Sequence, residues 1–242
     1  MVQRYLRGLY ERTIREAYGL AYREAIAALK HGGDLLDCGA GSGHLYHQTL
    51  WPAGMEANRY HGVEWHADTV AQTRGLAVRQ GDLNQPLPHA TGSFQCVIGL
   101  SVLEHLLKPC AFLRECHRVL APGGTLIILT PNISTYFTAA LILAGRMPSS
   151  GPAPDSVELL KGEELFQIGS LDFAYDADTD TPQHRHLIVF SFLVLRRYLR
   201  MLGFRNVRGH GFGLYPFPNV MQPMLEKLDP CHCHQMVFLA GK

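Results

Sequence analysis

The chain has 242 residues, of which 47% are hydrophobic and 18% are charged, and its formal net charge at pH 7 is +1. This composition excludes an intrinsically disordered chain, and the length suffices for one sizeable hydrophobic core. The near-neutral charge excludes a general attraction to polyanions, so no nucleic-acid partner is expected.

The first half of the chain alternates helical and strand-like patterns. Apolar residues recur at helical spacing from Tyr5 to Leu29, which predicts an amphipathic helix with Gly19 as a point where it could break. Short apolar runs predict five strands, at Asp34 to Cys38, Tyr60 to Glu64, Leu76 to Gln80, Phe94 to Leu100 and Thr125 to Thr130. Two helices are predicted between them, from the glycines after Cys38 to Trp51 and from Pro109 to Leu120.

The alternation lapses from Pro131 to His186, which is too long for an idle connection and predicts a cap over the site or a partner surface. This segment contains a helical pattern from Tyr136 to Ala144, followed by stretches rich first in Ser, Gly and Pro and then in acidic residues. Regular patterns return as a helix from Ser191 to Leu202 and strands at Phe204 to Val207 and Gln235 to Ala240.

Strands that alternate with helices predict an α/β fold. We expect a Rossmann-like, doubly wound, mostly parallel seven-stranded sheet with helices on both faces and an inserted helical cap after strand 5. The whole chain, 1–242, is predicted to be one domain. Its segments are an N-terminal helical segment (1–31), a cofactor-binding core (32–130), a variable cap (131–186) and a C-terminal part that completes the sheet (187–242).

The cysteines and the N-terminal sequence indicate where the protein works. Four of the six cysteines lie in apolar strand-like or helix-like runs, where free thiols behave as small apolar residues. The sequence shows neither a signal-peptide pattern nor an apolar stretch long enough to span a bilayer. A cytoplasmic, soluble protein with no membrane span is therefore predicted.

The segment from Cys231 to His234 reads Cys-His-Cys-His and suggests a metal site. On an extended chain, however, its cysteines and histidines would point to opposite faces, which leaves at most two ligands on each side. No metal site is therefore expected in this chain.

A glycine-rich loop follows the first predicted strand, Asp37-Cys38-Gly39-Ala40-Gly41-Ser42-Gly43. Glycines at such a junction let the backbone approach a ligand closely. The third glycine comes one residue too early for a dinucleotide fingerprint, which disfavours a dehydrogenase.

Acidic residues end the next two predicted strands. Glu64 lies 21 residues beyond Gly43, at a position where a carboxylate can accept hydrogen bonds from both hydroxyls of a ribose. Asp82 could accept from an adenine amino group, and Trp65 could cover the adenine. Because the carboxyl ends of parallel strands meet at one edge of the sheet, the loop and both acids predict a nucleoside site.

Four stretches of this sequence together resemble the class I S-adenosylmethionine-dependent methyltransferases, particularly the small-molecule group related to ubiquinone-biosynthesis enzymes. They are Leu35 to Gly43, Gly81 to Leu83, Phe94 to Leu106 with Glu104-His105, and Arg118 to Leu126. The resemblance implies S-adenosyl-L-methionine as cofactor and S-adenosyl-L-homocysteine as product.

The resemblance also implies roles for individual residues. Glu64 would bind the ribose, Asp82 and Leu83 the adenine, and Leu100 and Ser101 would lie beside the methionine moiety. The methionine end would be lined by Asp37, Gly39, Ala40, Gly41 and Gly43.

Methyl transfer from a sulfonium mainly requires alignment of the acceptor, and a general base helps when the acceptor is a hydroxyl or an acidic carbon. Histidine is suited to that role near neutral pH. The candidate catalytic residues are His105 after the fourth strand, His184 and His186 at the end of the cap, and Tyr136. Each histidine could instead have a purely structural role.

The expected activity is methyl transfer to a small-molecule acceptor, and an apolar stripe in the cap makes a partly apolar acceptor a hypothesis. Amino-group methylases of bases and glutamines carry Asn/Asp-Pro-Pro-Tyr after the fourth strand; Ser101 to Glu104 stands there instead, which favours O- or C-methylation. The alternatives are a non-catalytic cofactor-binding module and a tRNA or protein methyltransferase. The protein is expected to be a monomer or a homodimer.

Overall fold

The computed structural model describes residues 2–73, 75–148, 150–152 and 185–242. Seven strands in these residues form one sheet. They are β1 (Leu35–Cys38), β2 (Tyr60–Glu64), β3 (Ala77–Gln80), β4 (Phe94–Leu100), β5 (Leu120–Pro131), β6 (Arg205–Phe212) and β7 (Gln235–Gly241). The strand order is β3-β2-β1-β4-β5-β7-β6.

The first five strands run parallel, and β7 pairs antiparallel with both β5 and β6. The predicted α/β fold, with a mostly parallel seven-stranded sheet, is confirmed. The order in which the strands are added to the sheet reverses direction at β1, because β2 lies on one side of it and β4 on the other. In open parallel sheets, ligands bind at the carboxyl ends of strands beside such a reversal.

Two strands are longer than the sequence predicts. The run Pro122-Gly123-Gly124, predicted to be a turn, lies inside β5, because Phe94 already pairs with Leu120 and a register shift follows before Cys96. Strand β6 continues to Phe212 through its pairing with β7, although Gly209 and Gly211 interrupt its apolar pattern.

The helices of the described residues connect and cover the strands. They are α1 (Val2–Ala28), α2 (Ala67–Gln72), α3 (Pro109–Val119), α4 (Tyr136–Leu143), α5 (Phe192–Met201) and α6 (Gln222–Leu228). A π-helical turn spans Tyr46–Leu50, and short 3-10 turns span Ala57–Arg59, Leu103–His105 and Pro230–His232. Helices α2 and α6 were not predicted, because both are short and carry no clear apolar stripe.

Helix α1 runs without interruption through Gly19, so the break considered there does not occur. Ala17, Ala21 and Ala25 are fully buried and recur every four residues, so the helix presents one smooth stripe to the sheet. This packing over the length of the helix outweighs the cost of one glycine, which is about 1 kcal/mol relative to alanine.

Helices cover both faces of the sheet, as predicted. On one face, α3 and α5 contribute Phe112, Leu113 and Leu195 to a core with Val97 and Phe238. On the other face, the alanine stripe of α1 packs with apolar residues of β1, β4, β5 and β7. Both cores close around the central strands, so the strand ends that could form a site have a rigid support.

Two further expectations bear on the chain as a whole. All six cysteines are free thiols. Within the described ranges, every helix is too short or too polar to cross a membrane. Most of the predicted cap, including the acidic stretch, lies outside the described residues.

Candidate functional site

The glycine loop turns sharply at the carboxyl end of β1. Gly39 has a φ of +82°, and a β-carbon there would lie 2.5 Å from Cγ2 of Val102. Gly41 at the tip has a φ of +52° and faces open space, with no atom within 4 Å of the position a β-carbon would take. The loop therefore packs against the chain after β4 while its tip leaves room for a ligand.

Glu64 bends back from the end of β2 to the glycine loop. Its Oε2 accepts a hydrogen bond from the backbone N–H of Gly41 at 2.8 Å, and its Oε1 accepts from the N–H of His66 at 3.1 Å. The side chain is nearly buried. A carboxylate oxygen can accept more than one hydrogen bond, so both oxygens keep the capacity to accept from a ligand.

The other residues predicted near a nucleoside base lie directly after β2 and after β3. Oδ1 of Asp82 accepts from the backbone N–H and the side-chain amide of Asn84, at 2.8 and 2.9 Å. These two bonds fix the orientation of the carboxyl group and involve only Oδ1, not Oδ2. Leu83 is buried, and Trp65 is 50% exposed, as suits a ring that is covered only when a ligand is bound.

Asp37 is the penultimate residue of β1, two positions before Gly39 of the loop. Its Oδ2 accepts a hydrogen bond from the hydroxyl of Tyr60 at 2.6 Å, and the residue is almost wholly buried. Burial raises the pKa of the Asp37 carboxyl to about 7, the Tyr60 bond opposes this, and the nearby Glu64 carboxylate adds to it. A cationic ligand beside Asp37 would favour its charged form.

The chain after β4 adopts the left-handed backbone conformation at Ser101, whose φ is +52°. The hydroxyl of Tyr18, on α1, donates to Oγ of Ser101 at 3.2 Å, and the ring of Tyr22 packs edge-on against the Tyr18 ring. Sequence analysis missed Tyr18. Its place on α1, one turn before another tyrosine, does not reveal that it reaches the end of β4.

Glu104 lies in the 3-10 turn that follows and is buried beneath the end of β5. Its Oε2 accepts a hydrogen bond from Oγ1 of Thr130 at 2.9 Å. Burial raises the pKa of the Glu104 carboxyl to about 7, against the opposing effect of hydrogen bonds from Thr130 and the backbone. Thr130 was also missed, because a threonine at the end of an apolar strand carries no functional signal.

His105 and His186 come together although they are 81 positions apart in the chain, with ring centroids 5.2 Å apart. Nδ1 of His105 lies 2.9 Å from the carbonyl oxygen of Arg185, and Nδ1 of His186 lies 3.2 Å from that of Ser150. Burial lowers the pKa of His186, so this ring is neutral near pH 7.

A third histidine, His234 at the start of β7, lies beyond His186. It is buried, stacks on the ring of Tyr215 with centroids 4.8 Å apart, and has its Nε2 3.2 Å from Oγ of Ser150. Burial, reinforced by His186, lowers the pKa of His234 to about 4. Sequence analysis considered this residue only within the Cys-His-Cys-His segment.

That segment is not extended, which corrects the premise used for it. Pro230–His232 forms a 3-10 turn, His232 pairs with Asp229 at 2.8 Å, and Sγ of Cys233 donates to the Asp229 carbonyl at 3.3 Å. Within the part of the chain that is described, these cysteines and histidines do not assemble into a group of three metal ligands.

The remaining catalytic candidates lie elsewhere or are not described. Tyr136 is half exposed, its hydroxyl donates to Oδ2 of Asp229 at 2.7 Å, and its ring stacks on His232. His184 lies outside the described residues. In α4, Phe137 packs with the core at the start of α1, whereas Leu143 is 89% exposed. The helix therefore does not bury all its apolar residues together.

The geometry of the site is typical of one class of protein. An open sheet carries a glycine loop after its first strand, and the acidic residue at the end of the second strand is hydrogen-bonded to that loop. This arrangement is that of Rossmann-like proteins that bind nucleoside cofactors.

Residues 36–128 match the family model described as a methyltransferase domain. Over 110 residues the chain is 37% identical to a probable S-adenosylmethionine-dependent methyltransferase of Mycolicibacterium smegmatis, covering 43% of this chain and 40% of that one. Over 142 residues it is 31% identical to a ubiquinone biosynthesis O-methyltransferase of Caulobacter vibrioides, covering 55% and 56%. The chain thus spans about half the length of these relatives.

A solved S-adenosylmethionine-dependent methyltransferase of Archaeoglobus fulgidus matches the fold over 94% of both chains, with a TM-score of 0.58 and 18% identity. The chain therefore shares a segment with proteins described as methyltransferases, and its fold is that of solved S-adenosylmethionine-dependent methyltransferases.

Proposed function

We propose that this protein transfers a methyl group from S-adenosyl-L-methionine to a small-molecule acceptor, at oxygen or carbon. The observation that carries the proposal is the bond between Glu64 and the Gly41 N–H, which joins an acid to the open tip of the loop. A nucleoside seated on that tip would meet both the bare backbone and the carboxylate.

The cofactor supplies an electrophilic methyl group, and the residues of the site would bind and orient it. Glu64 would accept from the ribose hydroxyls, with Trp65, Asp82 and Leu83 around the adenine. The methionine end would lie against Asp37 and the loop from Gly39 to Gly43, with Leu100 and Ser101 on its other side. The negative charge that Asp37 gains on losing its proton would favour the cofactor's ammonium group.

The acceptor side is assigned to the histidines after β4 and at the end of the cap. A carbonyl oxygen only accepts, so Nδ1 of His186 carries the proton and Nε2 holds a lone pair. A neutral, buried imidazole of this kind can take a proton from a hydroxyl as it attacks. His105, beside it, is assigned to the same step, whereas Tyr136 and His184 stay predictions.

Oxygen is the favoured acceptor atom. Ser101 to Glu104 stands where amino-group methylases of bases and glutamines carry Asn/Asp-Pro-Pro-Tyr, and several relatives are named as ubiquinone biosynthesis O-methyltransferases. A partly apolar acceptor agrees with those names. The location in the cytoplasm, the four-segment division of the single domain, the absence of a nucleic-acid partner and the monomeric or homodimeric state all stay predictions.

Cofactor binding is tested by calorimetry with S-adenosyl-L-homocysteine and with NAD. We expect binding of the former only, and a loss of about tenfold or more in Glu64→Ala, because hydrogen bonds to a charged group contribute about 1.5–3 kcal/mol. Glu56→Ala removes an exposed carboxylate that precedes β2, at the end of the strand opposite Glu64, and should bind as the parent does. Equal binding by both variants would contradict the assigned site.

Activity is tested by incubating the protein with methyl-labelled cofactor and a deproteinised metabolite extract. Label recovered in a small molecule is the expected result. Binding of S-adenosyl-L-homocysteine without any transfer would instead favour the non-catalytic module, and label in added RNA or protein would favour a macromolecular substrate.

A further inference from the structure

Three side chains at the acceptor side place potential metal ligands together. Glu104, His105 and His186 each offer one ligand atom, and these atoms all lie within 4.8 Å of one another. Ligands of one Zn²⁺ lie about 2.0–2.2 Å from the ion and so at most about 4.4 Å apart. Small side-chain rotations would therefore bring the three atoms to coordinating distance.

The hydrogen bonds around the cluster orient its ligand atoms. Nδ1 of His105 and Nδ1 of His186 each face a backbone carbonyl, that of Arg185 and that of Ser150. A carbonyl oxygen accepts a hydrogen bond from the N–H at Nδ1, so either ring, in its neutral form, holds its lone pair on Nε2. Histidines that bind metals typically donate their second N–H to a carbonyl or carboxylate in this way.

Glu104 is held in the same manner. Thr130 donates to its Oε2, so Oε1 is the oxygen left to coordinate. The side chain is 2% exposed, which distinguishes it from the surface carboxylates that gather without binding an ion. Second-sphere hydrogen bonds of this kind orient a ligating carboxylate.

The backbone fixes the two parts of the cluster relative to each other. The N–H of Leu187 donates to the carbonyl of Glu104 at 2.7 Å, so the chain returning from the cap is tied to the turn that carries Glu104 and His105. His186 directly precedes that tie. The convergence of the three residues is thus set by the main chain as well as by the side chains.

We propose that Glu104, His105 and His186 bind one divalent transition-metal ion, with Zn²⁺ as the reference ion. Two imidazoles and one carboxylate suit such ions and leave coordination positions open. If the proposed methyl transfer holds, a bound metal would take over from the imidazole base: an open position would receive the acceptor hydroxyl and lower its pKa, and the proton would pass to water before methyl transfer. Metal binding itself does not depend on that role.

The test begins with full-length protein dialysed against a chelator and titrated with Zn²⁺ by calorimetry. We expect one equivalent to bind, and His186→Gln to weaken binding by about a hundredfold or more. Co²⁺ in place of Zn²⁺ should give visible absorption bands that the variant lacks. His232→Gln, in the separate Cys-His-Cys-His segment, is the matched control and should leave binding unchanged.

The integrity of the fold and the role of the metal in methyl transfer are measured separately. His186→Gln should keep the parent affinity for S-adenosyl-L-homocysteine, which shows that the core is intact, and Glu104→Gln provides a second variant. Absence of Zn²⁺ binding, or binding that both variants retain, would overturn the inference. Methyl transfer at full rate in chelated protein would remove the metal from the reaction while leaving the proposed function standing.

Discussion

Asp37 illustrates how one residue couples the fold to its site. Its carboxyl group lies at the end of a buried strand, where water is excluded, and the Tyr60 hydroxyl only partly compensates for the lost hydration. The pKa of about 7 follows from that imbalance. A site that receives a cationic group can tolerate this cost, because the ligand supplies the missing partner.

The raised pKa makes stability depend on pH. Between its ordinary pKa near 3.8 and about 7, folded Asp37 keeps a proton that the unfolded chain has lost, so stability falls as pH rises. Asp37→Asn should reduce the slope of unfolding free energy against pH by up to about 1.4 kcal/mol per pH unit between pH 5 and 6.5, as estimated from one proton. Urea denaturation of both proteins at several pH values measures this slope.

The matched variant is Tyr60→Phe. The Tyr60 hydroxyl lowers the pKa of Asp37, so its removal should shift the pH-dependent fall toward higher pH without abolishing it. An unchanged slope in Asp37→Asn would show that this carboxyl group ionises normally.

The residues of the candidate site differ in how far the sequence could predict them. Glu64 and Asp82 follow from their position at strand ends, because parallel strands bring those ends together. Tyr18, Thr130 and Ser150 do not, because each reaches the site through the rotation of a helix or the path of a returning segment. Such placements depend on packing of distant parts of the chain, which local patterns do not encode.

At the scale of helices and strands, packing over a long surface outweighed the glycines that, in the sequence alone, predict a break or a turn. The alanine stripe of α1 carries the helix through Gly19, and pairing with neighbours carries β5 through Gly123 and Gly124. The central strands and long helices were predictable because their apolar pattern is strong. Short helices such as α2 were not, since their stability comes from the sheet beside them.

Helix α1 provides a paired test. Ala21 is fully buried against a core that includes Ile98 and Ile127, so Ala21→Leu should overpack it and destabilise the protein by about 1–3 kcal/mol. Gly8 lies in the same helix with open space around it, and Gly8→Ala should stabilise by about 0.5–1 kcal/mol. Thermal unfolding compares the two.

Opposite shifts in melting temperature are expected from the pair. If Ala21→Leu were neutral, the alanine stripe would not be a close contact with the sheet.

At the scale of the whole molecule, an ion pair joins segments that are 214 positions apart. Arg12 of α1 binds both oxygens of Glu226 in α6, at 2.6 and 3.1 Å, and Glu226 also accepts from the N–H of Gly213 at 2.7 Å. Both side chains are largely buried. This cluster holds the N-terminal helix to the segment between β6 and β7.

Arg12→Ala should leave the Glu226 carboxylate buried with its main partner removed, at a cost of about 3 kcal/mol. The control is Arg7→Ala, which removes an exposed pair with Glu11 and should change stability by less than about 0.5 kcal/mol. Denaturation in urea reports both, and equal losses would contradict the role assigned to the buried pair.

The position of β7 has a consequence for how the protein is made. β7 is inserted between β5 and β6, although it follows both in the chain. While the nascent chain leaves the ribosome, β6 has no strand to pair with and the edge of β5 stays open until Gln235 to Gly241 have emerged. Unpaired edges bind other chains readily, so the newly made polypeptide is most vulnerable to aggregation just before this strand is released.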